Sequence, residues 1–280
     1  MIAILLSTYN GERYLSEQLE SILRQSVQDF TVYVRDDGST DRTEGIVLSY
    51  HNKYPDKIVI VDDPIKHRGA NYSFLWLLKV IECDYYMFCD QDDVWLPNKI
   101  EVSINAVKKA GCNNPDLPIL VHTDMKIVDH NLSILSDSLY KSMKIHPDII
   151  DHSFNFMGVC SCGPGCSMLF NKKAKEVSLD YQDLDNVPMH DWWVAINTVK
   201  TGKILYLAMP TMLYRQHQTN TVGASNVNTG SLINKITHIK KTFAPYDDEM
   251  KWLKKVGYGS KAKFFFYKFL YNIIRLLWAC

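Results

Sequence analysis

What most limits the folds open to this chain is a regular alternation of short apolar runs with amphipathic segments through its first half. Ile2–Ser7 is a continuous apolar run, as expected of a parallel strand buried on both faces. Tyr14–Arg24 follows with Leu15, Leu19, Ile22 and Leu23 at helical spacing. Phe30–Arg35 reads as a second strand that ends in the turn-rich Asp36-Asp37-Gly38-Ser39-Thr40, and Asp41 is placed to cap a helix from Arg42 to about Tyr50. Lys57–Val61 and Tyr85–Cys89 read as strands on either side of a Leu- and aromatic-rich helix, Tyr72–Ile81. Leu117–His122 is a further strand after a helix that starts near Pro97.

A βαβα order gives an α/β fold, a parallel sheet with helices on both faces. Ligands of such sheets lie beyond the carboxyl ends of the strands. The distinctive polar clusters all fall there: Ser7–Arg13 after the first strand, Asp36–Asp41 after the second and Asp90–Asp93 after the fourth. From His122 to Asp185 the pattern is irregular; His190–Thr201 reads as a helix, Lys203–Leu207 and Thr211–Tyr214 as short strands. Thr219–Ser231 is polar and rich in Gly and Asn, a loop or linker. The chain therefore divides into a body, residues 1–225, and a linker with a helical tail, residues 226–280.

Charge divides it at nearly the same place. The whole is neutral, 31 bases against 31 acids, which excludes a basic chain that coats nucleic acid. Yet Ser231–Cys280 carries ten Lys and Arg against three acids, a net of +7, and the first 230 residues carry 21 against 28, a net of −7. An acidic body and a basic tail with its own partner follow from that split. Seven cysteines, an odd number, and an N-terminal apolar run too short and uncharged for a secretion signal point to a reduced, cytoplasmic setting. Cys160, Cys162 and Cys166 form a C-x-C-x3-C cluster with no second ligand pair near it in sequence, so inert buried thiols are favoured over a metal site.

Asp90-Gln91-Asp92-Asp93 carries the strongest chemical signal. Three carboxylates in four residues repel one another and call for a cation or many donors, unless they form a solvated acidic turn. Mn²⁺ or Mg²⁺, hard ions that take oxygen ligands, would satisfy them and leave positions open for phosphate oxygens. Asp36–Asp41 has the same two readings: a turn with a helix cap, or carboxylates that receive base or ribose donors. Ser7-Thr8-Tyr9-Asn10-Gly11 matches neither a dinucleotide fingerprint nor a P-loop.

Taken in order, STYNGERYLSEQLESIL, DDGSTD, DQDDVW, MHDWW and YRQH resemble the family 2 glycosyltransferases of the GT-A fold, over roughly Ile2 to Gly223. DQDDVW, HDWW and YRQH are most similar to the bacterial rhamnosyltransferase branch. The resemblance implies a Rossmann-like, mixed and mostly parallel sheet, and inverting transfer of a sugar from a nucleoside diphosphate donor. The donor implied first is dTDP-rhamnose, then a UDP-hexose; the acceptor implied is a hydroxyl on a growing, lipid-linked bacterial polysaccharide. Thr8 and Tyr9 would line the nucleotide pocket, with Glu12 near base or ribose and Asp37 accepting a pyrimidine N3–H. Asp92 would bind the metal, Asp90 the ribose or the metal through water, and Asp93 would lie behind them or against the sugar. Arg68 would approach the diphosphate, Arg215 would neutralise the leaving phosphate, and His217 would reach the metal or diphosphate. Asp191 is the general base implied; His190 stands where many relatives have Glu and is a base in its own right near neutral pH. Trp192 and Trp193 are expected in the core and in an acceptor platform. A non-catalytic nucleotide-sugar-binding protein of the same fold is the alternative. A nucleotidyltransferase fits less well, because STYNGER lacks a Gly-rich basic loop.

In the tail, Phe265, Phe266, Phe269, Leu270, Ile273, Leu276 and Leu277 fall on one helical face, and Lys261, Lys268, Asn272 and Arg275 on the other. Spanning a bilayer is disfavoured: roughly ten apolar residues return about −4 kcal/mol, against about +6 for Lys268 and Arg275 inside the segment. An in-plane helix over residues 258–280 on an anionic membrane surface, with its bases drawn to lipid, fits the pattern. A helix docked on the body or on a second subunit is the competing expectation.

Overall fold

In the computed structural model, residues 1–181, 187–217, 246 and 249–277 are described. The expected linker over Thr219–Ser231 lies outside them.

The alternation of the first half folds as its pattern requires. Strands β1 (Ile2–Thr8), β2 (Phe30–Asp36), β3 (Ile58–Ile60) and β4 (Tyr85–Cys89) pair in parallel, β1 lying between β2 and β4. Helices α1 (Leu15–Leu23), α2 (Thr43–Lys53) and α3 (Gly69–Val80) connect them. A two-residue strand β5 (Val94–Trp95) and helix α4 (Lys99–Gly111) lead to the long strand β6 (Ile119–Val128). Alternate side chains of each strand feed two cores. Ile2, Ile4 and Leu6 join α1 and α4 in one, and Ala3 and Leu5 join α3 in the other.

The irregular middle holds a short edge strand β7 (Ile134–Ser136), which pairs with β6, and three short helices, α5 (Leu139–Met143), α6 (Pro147–Ile150) and α7 (Phe154–Met157). It also holds β8 (Met168–Asn171), inserted antiparallel between β4 and β6, and helix α8 (Lys172–Leu179). The sheet is therefore mixed, in the order β3-β2-β1-β4-β8-β6-β9-β5. Helix α9 spans His190–Thr201, as its periodicity predicts. The two short strands expected after it are one strand, β9 (Lys203–Arg215). Its pairing with β6 slips between Leu207↔Thr123 and Pro210↔Asp124, which leaves Ala208 and Met209 as extra residues around a proline that has no N–H to give. The far end of β9 turns to pair antiparallel with β5.

The tail docks on the body. Residues 249–255 are helical, and Trp252, Leu253, Val256 and Tyr258 are buried in the α3–α9 core. Helix α10 (Lys261–Leu277) seals Phe264 and Tyr271 into the same core. The orientation corrects the expectation that its bases face outward: Lys268 Nζ donates to the Val159 carbonyl at 3.4 Å and Arg275 Nη2 to the Met143 carbonyl at 2.8 Å. Phe264, Tyr267 and Tyr271 lie on the same side of the helix as those cations. Ring packing against α7 therefore turns the aliphatic stems inward, and carbonyls receive the charged heads. No described helix is long and apolar enough to cross a membrane.

Candidate active site

Three loops at the carboxyl ends of β1, β2 and β4 are laced into one rim. Thr8 Oγ1 donates to Asp36 Oδ2 at 2.8 Å. Asp36 Oδ1 takes the N–H groups of Gly38 and Ser39, so it serves to build its own turn. Asn10 N–H donates to Ser39 Oγ, and Thr40 N–H returns a bond to Asn10 Oδ1. The Gln91 side-chain amide pairs both ways with the Tyr9 backbone at 2.9 Å, which ties the first loop to the acid turn.

Asp37 is 4% exposed and accepts three donors. Oδ1 accepts from Arg35 and Arg68 N–H, and Oδ2 from Gly69 N–H at 2.7 Å. Burial works to raise its pKa, but those N–H groups and the Arg35 guanidinium outweigh it and hold the carboxyl below its ordinary value. Arg35, wholly buried, also donates to Asp63 Oδ2 at 2.9 Å and to Ser73 Oγ at 2.5 Å. Nothing in motif spacing singled out Arg35; an Arg inside an otherwise apolar strand, two residues before an Asp, was the available signal. Around Asp37, Tyr9 stands 49% exposed with its ring edge-on to His67, and exposed Arg68 lies over the Tyr72 ring. Glu12 sits one step outward, engaged with the backbone N–H and guanidinium of Arg42.

The acid turn forms the second half of the crevice. Burial and the charge of Asp92 push Asp90 up to about 7. Asp93, 1% exposed, is raised too, first by burial and then by Asp92 and Asp90. One Asp93 oxygen accepts Arg215 N–H at 3.1 Å; the other, Oδ2, is buried with no partner among the described residues. Asp92 is the more open carboxylate, and His217 Nε2 meets its Oδ2 at 2.7 Å. Arg215 takes a different place from the one expected. It is 2% exposed and points inward, donating to the carbonyls of Asp92 and His130 and to the Glu17 carboxylate, with its guanidinium over the Tyr14 ring. It braces the acid turn from behind rather than facing a phosphate. Lys99, wholly buried and not singled out by any motif, lies against Trp95 beneath the same turn. Burial lowers its pKa to about 8.

The third wall is the start of α9. Asp191 Oδ2 accepts Gly165 N–H at 2.9 Å and Oδ1 its own helix's Trp192 N–H at 2.6 Å. Burial raises its pKa to about 6, only partly countered by those bonds. His190 is settled as a packing residue: its ring lies 4.1 Å from Phe74 and 4.6 Å from Phe88, and burial lowers its pKa to about 3, so it stays neutral. Trp193 is wholly buried, donating Nε1–H to the Ser178 carbonyl, which corrects its placement in an acceptor platform: an indole with no exposed surface touches no acceptor. Trp192 is partly buried, bonded to the Met157 carbonyl and packed on Trp252.

Two consecutive residues join the walls. Gly165 holds Asp191, and the Cys166 thiol lies with Asp90 and Asp93, their ligand atoms all within 4.8 Å of one another. The Asp191 charge reaches Asp90. The cysteines of the C-x-C-x3-C cluster go to different places. Cys166 belongs to the acid turn and Cys162 lies with His122 and Asp151, while burial raises both thiols well above their ordinary value. The residues of the acid turn fit a hard divalent cation: three carboxylates, an imidazole at their edge, and a buried Asp93 oxygen that no described donor satisfies.

Comparison with known proteins agrees with this arrangement. The glycosyl transferase family 2 model matches residues 3–177. The dTDP-rhamnosyl transferase RfbG of Shigella flexneri is 30% identical over 231 residues, 79% of this chain and 74% of that protein. An uncharacterized glycosyltransferase of a Nostoc species is 25% identical over 93% of this chain and 78% of its own length. Among solved structures, S. aureus TarS 1–349 in complex with UDP-GlcNAc superposes with a TM-score of 0.61 at 18% identity, over 81% of this chain and 61% of that one. The mannosyltransferase PcManGT of Pyrobaculum calidifontis, in complex with GDP-Man and Mn²⁺, superposes at 0.58 with 14% identity, over 78% and 58%. This chain thus spans about three fifths of those two structures, and the likeness shows the fold, that of GT-A glycosyltransferases. With the mixed sheet, the rim of carboxylates and more than half its length matched by the family model, the chain belongs to glycosyl transferase family 2.

Proposed function

We propose that this glycosyltransferase is metal-dependent and inverting, and that it moves rhamnose from dTDP-rhamnose to a hydroxyl of a growing, lipid-linked bacterial surface glycan at the cytoplasmic face of the membrane. The observation that carries the reading is the Gly165–Cys166 turn, which sets a single carboxylate, Asp191, across from the acid turn of Asp90, Asp92 and Asp93. Rhamnose is favoured by the 30% identity to a dTDP-rhamnosyl transferase, with UDP-hexoses next.

Each residue then has a defined task. Tyr9 and Arg68 border the nucleotide, and Asp37, kept ionised by Arg35 and Gly69 N–H, accepts a pyrimidine N3–H. Asp90, Asp92, Asp93 and His217 would hold Mn²⁺ or Mg²⁺, which supplies charge neutralisation for the departing diphosphate. Asp191 accepts the proton of the incoming hydroxyl. Its pKa near 6 leaves it ionised at neutral pH and more basic than an ordinary aspartate, as a general base requires. The Asp92–His217 pair, 17% and 12% exposed, is where the donor diphosphate would meet the acid turn.

The test is Asp191→Asn, a change of nearly equal shape whose one carbonyl oxygen can still accept from either Gly165 N–H or Trp192 N–H. Transfer should fall by about 10²–10⁴-fold with donor binding preserved. EDTA should abolish transfer and Mn²⁺ or Mg²⁺ restore it. Wild-type turnover in the Asn variant, or full activity in chelator, would sink the corresponding role. A protein that binds dTDP-rhamnose yet releases no dTDP in the presence of any acceptor would be a binding module instead.

A further inference from the structure

Helix α10 is held to the body by one face and left bare on the other. Phe264, Tyr267, Lys268, Tyr271 and Arg275 fall within about a third of its circumference at 100° per residue, and all five contact the body. The opposite side holds Phe266 at 60% exposure, Phe269 at 67%, Leu276 at 75% and Leu277 at 70%. Large apolar side chains exposed together on one face mark an interaction surface. Because Lys268 and Arg275 turn inward onto carbonyls, that face carries no charge of its own.

Its surroundings select the occupant. Helix α10 contains no Asp or Glu. Lys261 opens it, and at its far end Arg275 bonds the carbonyl of Met143, itself 40% exposed between exposed Lys141 and Lys144. From Ser231 onward, bases outnumber acids ten to three. A protein partner of ordinary composition meets a rim of both signs. An apolar ridge with cations at both ends has the make-up of a helix that lies in the headgroup region of an anionic bilayer.

We propose that α10 seats the protein on an anionic lipid surface, with Phe266, Phe269, Leu276 and Leu277 entering the acyl boundary and Lys141 and Lys144 facing lipid phosphates. Relative to the expectation from sequence, the apolar face keeps its assignment to lipid, whereas Lys268 and Arg275 are turned onto the body. The surface is close to the chemistry: α10 packs on α7, whose Met157 carbonyl takes the Trp192 indole N–H, one residue from Asp191. That this proximity serves a lipid-linked acceptor rests on the transferase reading; the seating itself rests on α10 alone.

The experiment is flotation of the full chain with vesicles of phosphatidylglycerol and phosphatidylcholine, or of phosphatidylcholine alone, beside the triple variant Phe266→Ser/Phe269→Ser/Leu276→Ser. The wild type should float with the anionic vesicles and at least ten-fold less with the neutral ones, each lysine contributing about five-fold. The triple variant should lose at least ten-fold in anionic binding while keeping wild-type release of dTDP from dTDP-rhamnose with a soluble acceptor, since none of the three side chains lies in the crevice. A wild type that does not float, or a triple variant that floats equally well, overturns the proposal. So does a wild-type dimer by light scattering that the triple variant dissolves without any flotation, because the face would then belong to a second copy. Flotation with no donor turnover in the wild type would fail the transferase reading and leave the lipid seat standing.

Discussion

Substituting Gly165 by alanine tests whether the base is positioned by close approach rather than by flexible fit. A Cβ there would sit 2.8 Å from His190 Nε2, 3.1 Å from Asp191 Cβ and 3.4 Å from Phe88 Cδ2. The first two contacts are short of ordinary van der Waals distance by several tenths of an ångström. His190 has little room to retreat, with Phe74 and Phe88 against its ring, so the start of α9 must move and carry Asp191 with it. The Gly165 N–H bond to Asp191 lengthens in the same motion. Overpacking of this kind costs about 1–3 kcal/mol, or roughly 2–10 °C in Tm. A displacement of a fraction of an ångström at a proton acceptor lowers kcat by about 10–100-fold. Steady-state kinetics on the folded variant, with donor affinity measured separately by calorimetry, gives the answer: kcat should fall while the donor Kd stays within a factor of two or so. A Gly165→Ala protein with wild-type kcat would refute the argument that this turn sets the base.

Other expectations follow from the same geometry. With donor and acceptor saturating, kcat should fall about ten-fold per pH unit below pH 6, because the raised pKa of Asp191 leaves a growing fraction protonated there; the residual activity of Asp191→Asn should lack that acidic limb. Arg35→Met should cost about 3–5 kcal/mol in urea unfolding, since it strands Asp37 and Asp63 as buried charges, and an unchanged midpoint would remove Arg35 from the account. Arg215→Leu should destabilise by about 1–3 kcal/mol, since it leaves the Asp92 and His130 carbonyls without their donor while Glu17 is half exposed, and should weaken Mn²⁺ protection against heat more than Arg68→Leu does; equal Mn²⁺ protection in the two variants would count against Arg215 as the brace of the acid turn.

Much of this was legible in the residues because the relevant signals are local. Apolar runs of strand length separated by helical spacing require a layered sheet, and carboxylates just past Arg35 and Cys89 could lie only at its carboxyl rim. The limits of α9 were equally plain from its periodicity. What escaped depends on contacts between distant segments. Met168–Asn171 is four residues long and follows a Gly- and Cys-rich stretch, so nothing local marks it as the strand between β4 and β6. Trp193 and Trp192 are adjacent, and only the packing of Ser178 and Tyr181 decides which indole is sealed. Helix α10 has two plausible faces on a helical wheel, and the aromatic side won the body because α7 offers Phe156 to Tyr267 and Tyr271. Arg215 sits in a motif that suggests phosphate contact, yet its fate is set by Glu17 and His130, 198 and 85 residues away.

The pairing of Val94–Trp95 with Met212–Leu213 fastens the far bank of the acid turn to the same sheet that carries its near bank. The turn from Asp90 to Asp93 is thus a bridge with both abutments set, and its three carboxylates have little slack with which to spread apart. The crowding is imposed at folding, and burial with mutual charge raises the pKa of Asp90 and Asp93. On the proposed metal reading, Mn²⁺ should raise the melting temperature with its concentration, and a flat response would count against that reading.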